Sequence, residues 1–191
     1  MKKLLLAVSF MLFIIPFEGL SQRSALLLID IQDFYFPGGR SPLAEPEKAA
    51  QNAARLLVHF RKEKLPVIHV RHNSEPGGMI SKTVEPLPRE MIFSKDAVNC
   101  FAGTALLDSL RSNRVDTLVI CGMQTHMCVE AATRAASDYG FKCILVHDAC
   151  TTRDLKYGER LIKAEDVHYS TLVTLKNYAT VVSVSEFLNG Q

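Results

Sequence analysis

Short apolar runs alternate with amphipathic stretches along this chain. Residues 25–30 (ALLLID), 66–70 (PVIHV), 117–122 (TLVICG) and 142–149 (KCILVHDA) are apolar for most of their length. Runs of that size predict strands buried on both faces. Residues 46–64 carry Pro46 early, with Ala50, Ala53, Ala54, Leu57, Val58 and Phe60 roughly on one side, which predicts a helix. Residues 104–113, 128–140 and 159–178 read as further helices, the second ending near Gly140, a good residue just past a helix end. Residues 180–187 (TVVSVSEF) read as a last strand. Continuously apolar strands separated by helices predict a mostly parallel sheet of about five to six strands. Right-handed crossovers then give a three-layer α/β/α sandwich, Rossmann-like in class. Residues 72–90, rich in Gly and Pro, form the long irregular segment, and such segments in compact domains are usually lids or binding loops.

The first 21 residues follow a different pattern. Lys2 and Lys3 precede an apolar run from Leu4 to Phe17, and Gly19 and Ser21 are small residues placed for cleavage after Ser21. That is the layout of a secretory signal peptide, so residues 1–21 are expected to be a leader and 22–191 the working domain, periplasmic or secreted. An uncleaved membrane anchor is the alternative. After cleavage no stable membrane association is expected. The whole chain carries a net charge of +2, and nothing in that balance points to nucleic acid or an anionic surface. The cysteine count is odd, at five. Cys100, Cys121, Cys143 and Cys150 lie in or beside apolar stretches and read as plain buried thiols. No cysteine–histidine spacing resembles a zinc site.

In open parallel sheets, ligands bind beyond the carboxyl ends of the strands. Asp30, Cys128 and Asp148 all fall near such ends. Asp30 directly follows ALLLI, where an unpaired charge is costly, so it needs a partner. Backbone N–H groups could supply one, as could a cation. Thr125 is a good N-cap, which would put Cys128 in a first helical turn. Free N–H groups and the helix dipole there would lower the thiol pKa and could also hold an oxyanion. A buried structural cysteine is the competing reading. Lys95 reads as a surface lysine unless it lies beside Asp30 and Cys128.

Taken together, three stretches resemble the isochorismatase-like cysteine hydrolases: ALLLIDIQDFYFPGG (25–39), FSKDAVNCFAGTALLDSL (93–110) and VICGMQTHMCVEAATRAASDYGF (119–141). The likeness covers nearly all of residues 22–191. It implies that Cys128 is a nucleophile forming a thioester on a small-molecule amide or ureido-type C–N bond. It also implies that Asp30 is the base and Lys95 the cation that activates both. A cis peptide at Met123–Gln124 is implied too, aiming the backbone N–H groups of Gln124 and Cys128 at the oxyanion. Homo-oligomers are common in such families. Vinyl-ether hydrolysis through Asp30 and a non-catalytic binding role are the alternatives. The chain departs from metal-dependent relatives: 67–78 reads VIHVRHNSEPGG, with no Asp-x-His. His69 and His72 would face opposite sides of a strand, so no metal and no cofactor are expected. Phe34, Tyr35 and Phe36 make an aromatic lip that either lines the substrate pocket or packs beneath the loop.

Overall fold

The computed structural model describes residues 23–190. The expected leader, residues 1–21, lies outside the described residues. Strands are β1 (Ser24–Ile29), β2 (Val67–His72), β3 (Met91–Lys95), β4 (Thr117–Met123), β5 (Lys142–Thr151), β6 (Leu155–Tyr157), β7 (Arg160–Ile162) and β8 (Thr180–Val182). Helices are α1 (Pro46–Lys62), α2 (Leu106–Ser112), α3 (Glu130–Asp138), α4 (Ala164–Leu175) and α5 (Val184–Asn189). The main sheet has six strands in the order β3-β2-β1-β4-β5-β8, and every pairing in it is parallel. Leu26 to Ile29 and Leu118 to Met123 are fully or almost fully buried, as strands covered on both faces must be.

From β1 the chain steps to β2 in one direction, and from β4 to β5 in the other. Right-handed crossovers therefore place α1 and α3 on opposite faces of the sheet. On one face α1 packs on β1, β4 and β5 and against α5. On the other, α3 and α4 pack together over β5. α1 buries Ala49, Ala50, Ala53, Leu56, Leu57 and Phe60, whereas Val58, expected on that side, is 65 % exposed.

Four expectations change. β3 falls where only a loop and a helix approach were expected. It is an edge strand whose exposure alternates, so it lacks a continuous apolar run. The helix expected over 159–178 begins only at Ala164, because β6 and β7 form an antiparallel hairpin before it. Gly158 turns that hairpin with φ +57, a left-handed conformation glycine adopts without steric cost. The strand expected over 180–187 stops at Val182. There Ser183 and Glu186 form a reciprocal capping box that starts α5, and this local signal outweighs the β-branched composition. Asp148 is not at a free strand end: β5 runs on to Thr151, and the Asp148 carboxylate accepts the N–H of Val184 at 2.8 Å.

Candidate active site

β1 and β4 are neighbours, and the strands on either side of them lead away in opposite directions. The carboxyl ends of such a pair open a crevice, the usual ligand site of a doubly wound sheet. Asp30 is the first residue beyond β1, with φ 50, and its N–H donates to the Val70 carbonyl at 2.9 Å. Asp tolerates that left-handed conformation better than most residues. Across from it, Gly122 of β4 has φ 132, and a Cβ there would sit 2.0 Å from the Ile29 carbonyl oxygen. No side chain fits, so the two backbones close the floor of the crevice. The next peptide, Met123–Gln124, is cis.

Residues Thr125–Val129 make one π-helical turn before α3 begins. The Gln124 carbonyl accepts from Met127 N–H at 3.0 Å and from Val129 N–H at 3.3 Å, and the intervening Cys128 N–H is not among its donors. Thr125 does not cap this turn. Its hydroxyl pairs instead with His168 Nδ1 at 2.9 Å, and Gln124 occupies the cap position. On the other side, His126 Nδ1 pairs with the Thr152 hydroxyl at 2.6 Å. The turn that bears Cys128 is therefore tied to α4 and to the end of β5 by flanking side chains.

Asp30, Lys95 and Cys128 meet in this crevice. Lys95 ends β3, next to His72 in register, and its side chain reaches back past β2 toward β1. Its Nζ lies 2.8 Å from Asp30 Oδ2 and donates to Cys128 Sγ at 3.3 Å. It also lies 3.4 Å from His72 Nδ1. Asp30 is 0 %, Lys95 1 % and Cys128 6 % exposed. Oδ1 of Asp30 has no hydrogen-bond partner.

The electrostatics correct one expectation. Burial first, then the Asp30 charge, push the Cys128 thiol up to about 12, against the pull of Lys95. Desolvation outweighs whatever the short turn contributes, so at neutral pH Cys128 rests as a thiol rather than a thiolate. Burial likewise raises the Asp30 carboxyl, opposed by the Lys95 ammonium. Lys95 is pulled down by burial but held above its ordinary range by Asp30 and Cys128. The ammonium thus faces one carboxylate and one neutral thiol.

The aromatic lip divides. Tyr35 is buried and its hydroxyl accepts from Gln124 Nε2 at 3.3 Å. Phe34 is buried under the loop, where the position of a Gly77 Cβ would lie 3.1 Å from its own Cβ. Phe36 is half-buried against the core. The loop itself is held down by a residue whose role sequence reasoning missed. Gln32 donates to the carbonyls of His72 and Gly78 at 3.0 and 2.7 Å and accepts the His72 N–H at 2.7 Å. His72 was missed as a neighbour of Lys95; its place at the end of an apolar strand, as with Asp30, was the available signal. His69 faces a different partner, Glu90, at 3.0 Å. Among the described residues, no group of three or more His, Cys, Asp or Glu is placed to hold a metal ion.

A cavity of about 480 Å³ lies beyond the Cys128 turn rather than over Asp30. Lys48, His147, Asp148, Thr152 and His168 are among its walls. Cys100, Cys121, Cys143 and Cys150 are buried free thiols.

The chain as a whole is similar to several known proteins. The isochorismatase family protein YddQ of Bacillus subtilis (strain 168) is 43 % identical over 86 % of this chain and 98 % of its own length. Maleamate amidohydrolase of Pseudomonas putida is 28 % identical over 82 % of this chain and 85 % of its own length. The crystal structure of an isochorismatase from Pseudomonas putida KT2440 superimposes with a TM-score of 0.82 at 33 % identity, over 86 % of this chain and 89 % of that one. The sequence model described as the isochorismatase domain matches residues 24–185, which spans every strand of the main sheet and all three residues of the crevice, and the chain therefore belongs to the isochorismatase family of hydrolases.

Proposed function

We propose that this chain hydrolyses the C–N bond of a small-molecule amide or ureido compound through a Cys128 thioester. The observation that carries the reading is the placement of one buried ammonium 2.8 Å from the Asp30 carboxylate and 3.3 Å from the Cys128 sulfur. A relative named maleamate amidohydrolase supports the bond type.

Because Cys128 rests as a thiol, it needs a base at the moment of attack. Asp30 takes the proton as Sγ bonds to the carbonyl carbon. The resulting oxyanion is held by the N–H groups of Gln124 and Cys128. When the tetrahedral centre collapses, the C–N bond breaks and Asp30 delivers the proton to the leaving nitrogen. Asp30 then removes a proton from water, hydroxide adds to the thioester carbonyl, and the C–S bond breaks. The proton returns to sulfur, so the carboxylate and the thiol are both restored. Lys95 stays protonated throughout and keeps a buried carboxylate ionised between steps. No cofactor enters this sequence. The lysine-rich start and apolar run of residues 1–21 support export before the enzyme acts, and the family resemblance supports a homo-oligomer.

Quenched-flow mass spectrometry with maleamate and other primary amides tests the reading. An acyl adduct on Cys128 is expected, with release of ammonia, and Cys128→Ala is expected to abolish both. Turnover that survives Cys128→Ala but not Asp30→Asn would replace this reading by acid–base hydrolysis through Asp30 alone.

A further inference from the structure

The outer face of α4 lacks the charge that a helix usually turns to water. α4 buries Val167, Thr171, Leu172 and Leu175 against the molecule. Toward solvent it presents Tyr169, Ser170, Val173 and Thr174, with Tyr169 54 % and Val173 63 % exposed. No Asp, Glu, Lys or Arg occurs between Asp166 and Lys176. A surface helix normally pairs one apolar face with one charged face, and apolar residues on both mark a helix that something covers. Val58 of α1 is as exposed, but Arg55 and Lys62, three residues before and four after, put exposed charge on either side of it. It is a single apolar residue on a solvated face, whereas the stripe on α4 is continuous.

The charges at the two ends of the stripe are opposite. Glu165 and Asp166 are exposed in the first turn, and the exposed Lys176 closes the helix. The pattern is symmetric about the level of Thr171: Tyr169 and Val173 lie two residues to either side of it, and Asp166 and Lys176 five. A two-fold axis at that level, with two copies of α4 antiparallel, sets Tyr169 on the partner's Val173. It also sets Asp166 opposite the partner's Lys176. A parallel pair would instead bring Glu165 and Asp166 against their own copies. Two-fold dimers use one self-complementary patch on both subunits, and this stripe has that property in both shape and charge.

We propose that the outer face of α4 is the docking surface for a second copy of this chain, packed antiparallel about a two-fold axis at Thr171. One helix seam falls short of the roughly 1,200–2,000 Å² that specific interfaces bury. The β6–β7 hairpin leading into α4 supplies further apolar area, with Tyr157 and Leu161 exposed. Asp154 fastens that hairpin to the start of α4, accepting Ala164 N–H at 2.8 Å and pairing with Lys163 at 3.0 Å. Tyr169 also stands in the wall of the cavity beyond the Cys128 turn, so the second copy borders that cavity. The inference gives the homo-oligomer proposed above a specific face, and it does not depend on the chemistry at Cys128.

Sedimentation equilibrium of the purified protein at micromolar concentration is the test. Wild type is expected at twice the mass of one chain. Val173→Glu is expected to raise the dimer Kd at least about a hundredfold, because the two-fold puts each new charge into the seam twice. Lys176→Glu sets acid against the partner's Asp166, and a rise of about tenfold is expected. Adding Asp166→Lys to Lys176→Glu is expected to return Kd to within about threefold of wild type, since the pair is then reversed rather than broken. Each of those two changes opposes the dipole of its own helix, so a role confined to helix stability predicts further loss and no recovery. A single-chain mass for wild type overturns the inference and the homo-oligomer with it. A dimer that Val173→Glu leaves intact overturns the placement on α4 alone. A doubly changed chain weaker than Lys176→Glu overturns the antiparallel packing.

Discussion

Two clusters of buried charge sit at opposite ends of β2 and β3, and they are built to different ends. At the start of β3, Arg61 donates to both oxygens of Glu90 at 2.7 and 2.8 Å, His69 lies 3.0 Å from Glu90 Oε2, and Leu87 N–H donates to it at 2.9 Å. Every lone pair that matters on Glu90 is engaged, and the carboxyl is held down at about 2 despite its burial. At the far end of β3, Asp30 has one ammonium on Oδ2 and nothing on Oδ1, and its carboxyl is raised instead. A carboxylate saturated with donors is a clamp, here closing the base of the long loop. A carboxylate left partly open and made more basic by burial is equipped to take a proton.

The contrast is sharpest in activity. Asp30→Asn is expected to lower kcat by about a thousandfold, the scale of a lost general base. Glu90→Gln is expected to leave kcat within about threefold of wild type, because a structural clamp touches no reacting atom. Steady-state ammonia release on the same substrate measures both. An equal loss in the two variants would dissolve the distinction.

Stability separates the clusters next. Lys95→Met leaves Asp30 buried without a cation, and about 3–5 kcal/mol is expected to be lost at pH 8. The loss should shrink toward pH 5, since an unpaired Asp30 escapes by taking a proton. Arg61→Met leaves Glu90 with His69 and the Leu87 N–H, so about 1–3 kcal/mol is expected. Urea unfolding at the two pH values measures both. The same pairing sets a pH limb. Asp30 must be ionised to act as base, and its pKa is raised by burial and lowered by Lys95. Activity should therefore fall as pH drops through a value above 3.8, and Lys95→Met should move that limb upward. A limb unmoved in the variant would detach Lys95 from Asp30.

Sequence patterning carried the buried strands and two of the three crevice residues, for physical reasons. Asp30 and Cys128 follow continuous apolar runs, so their positions relative to the sheet are fixed by the strands themselves. Lys95 was legible only through the family resemblance, because β3 is a short edge strand with alternating exposure. Nothing in MIFSK separates it from a loop. The capping box at Ser183 and the glycine turn at Gly158 were local signals strong enough to be read, and longer amphipathic patterns concealed them. The state of the Cys128 thiol was not legible at all. It depends on how deeply the turn is buried and on the distance to Asp30, and neither follows from residue spacing.

The smallest expected effect concerns the side chains that flank the Cys128 turn. His168 pairs with Thr125 and is lowered to about 4 by burial, with His147 adding to the depression. Between that value and its ordinary 6.5, the unfolded chain binds a proton that the folded chain does not. Stability must therefore fall as pH drops from about 6.5 toward 4, and it is fully present above that window. A proton bound by the unfolded chain alone costs about 1.4 kcal/mol for each pH step of one, so up to about 2 kcal/mol is lost by pH 5. His168→Gln has no such titration and keeps a polar group for Thr125, so its stability should decline less between pH 7 and pH 5 than wild type. His69, also lowered by burial, contributes in the same direction at the clamp. A wild-type slope between pH 7 and pH 5 that His168→Gln leaves unchanged would assign that slope to His69 and His126, both also lowered by burial, and not to His168.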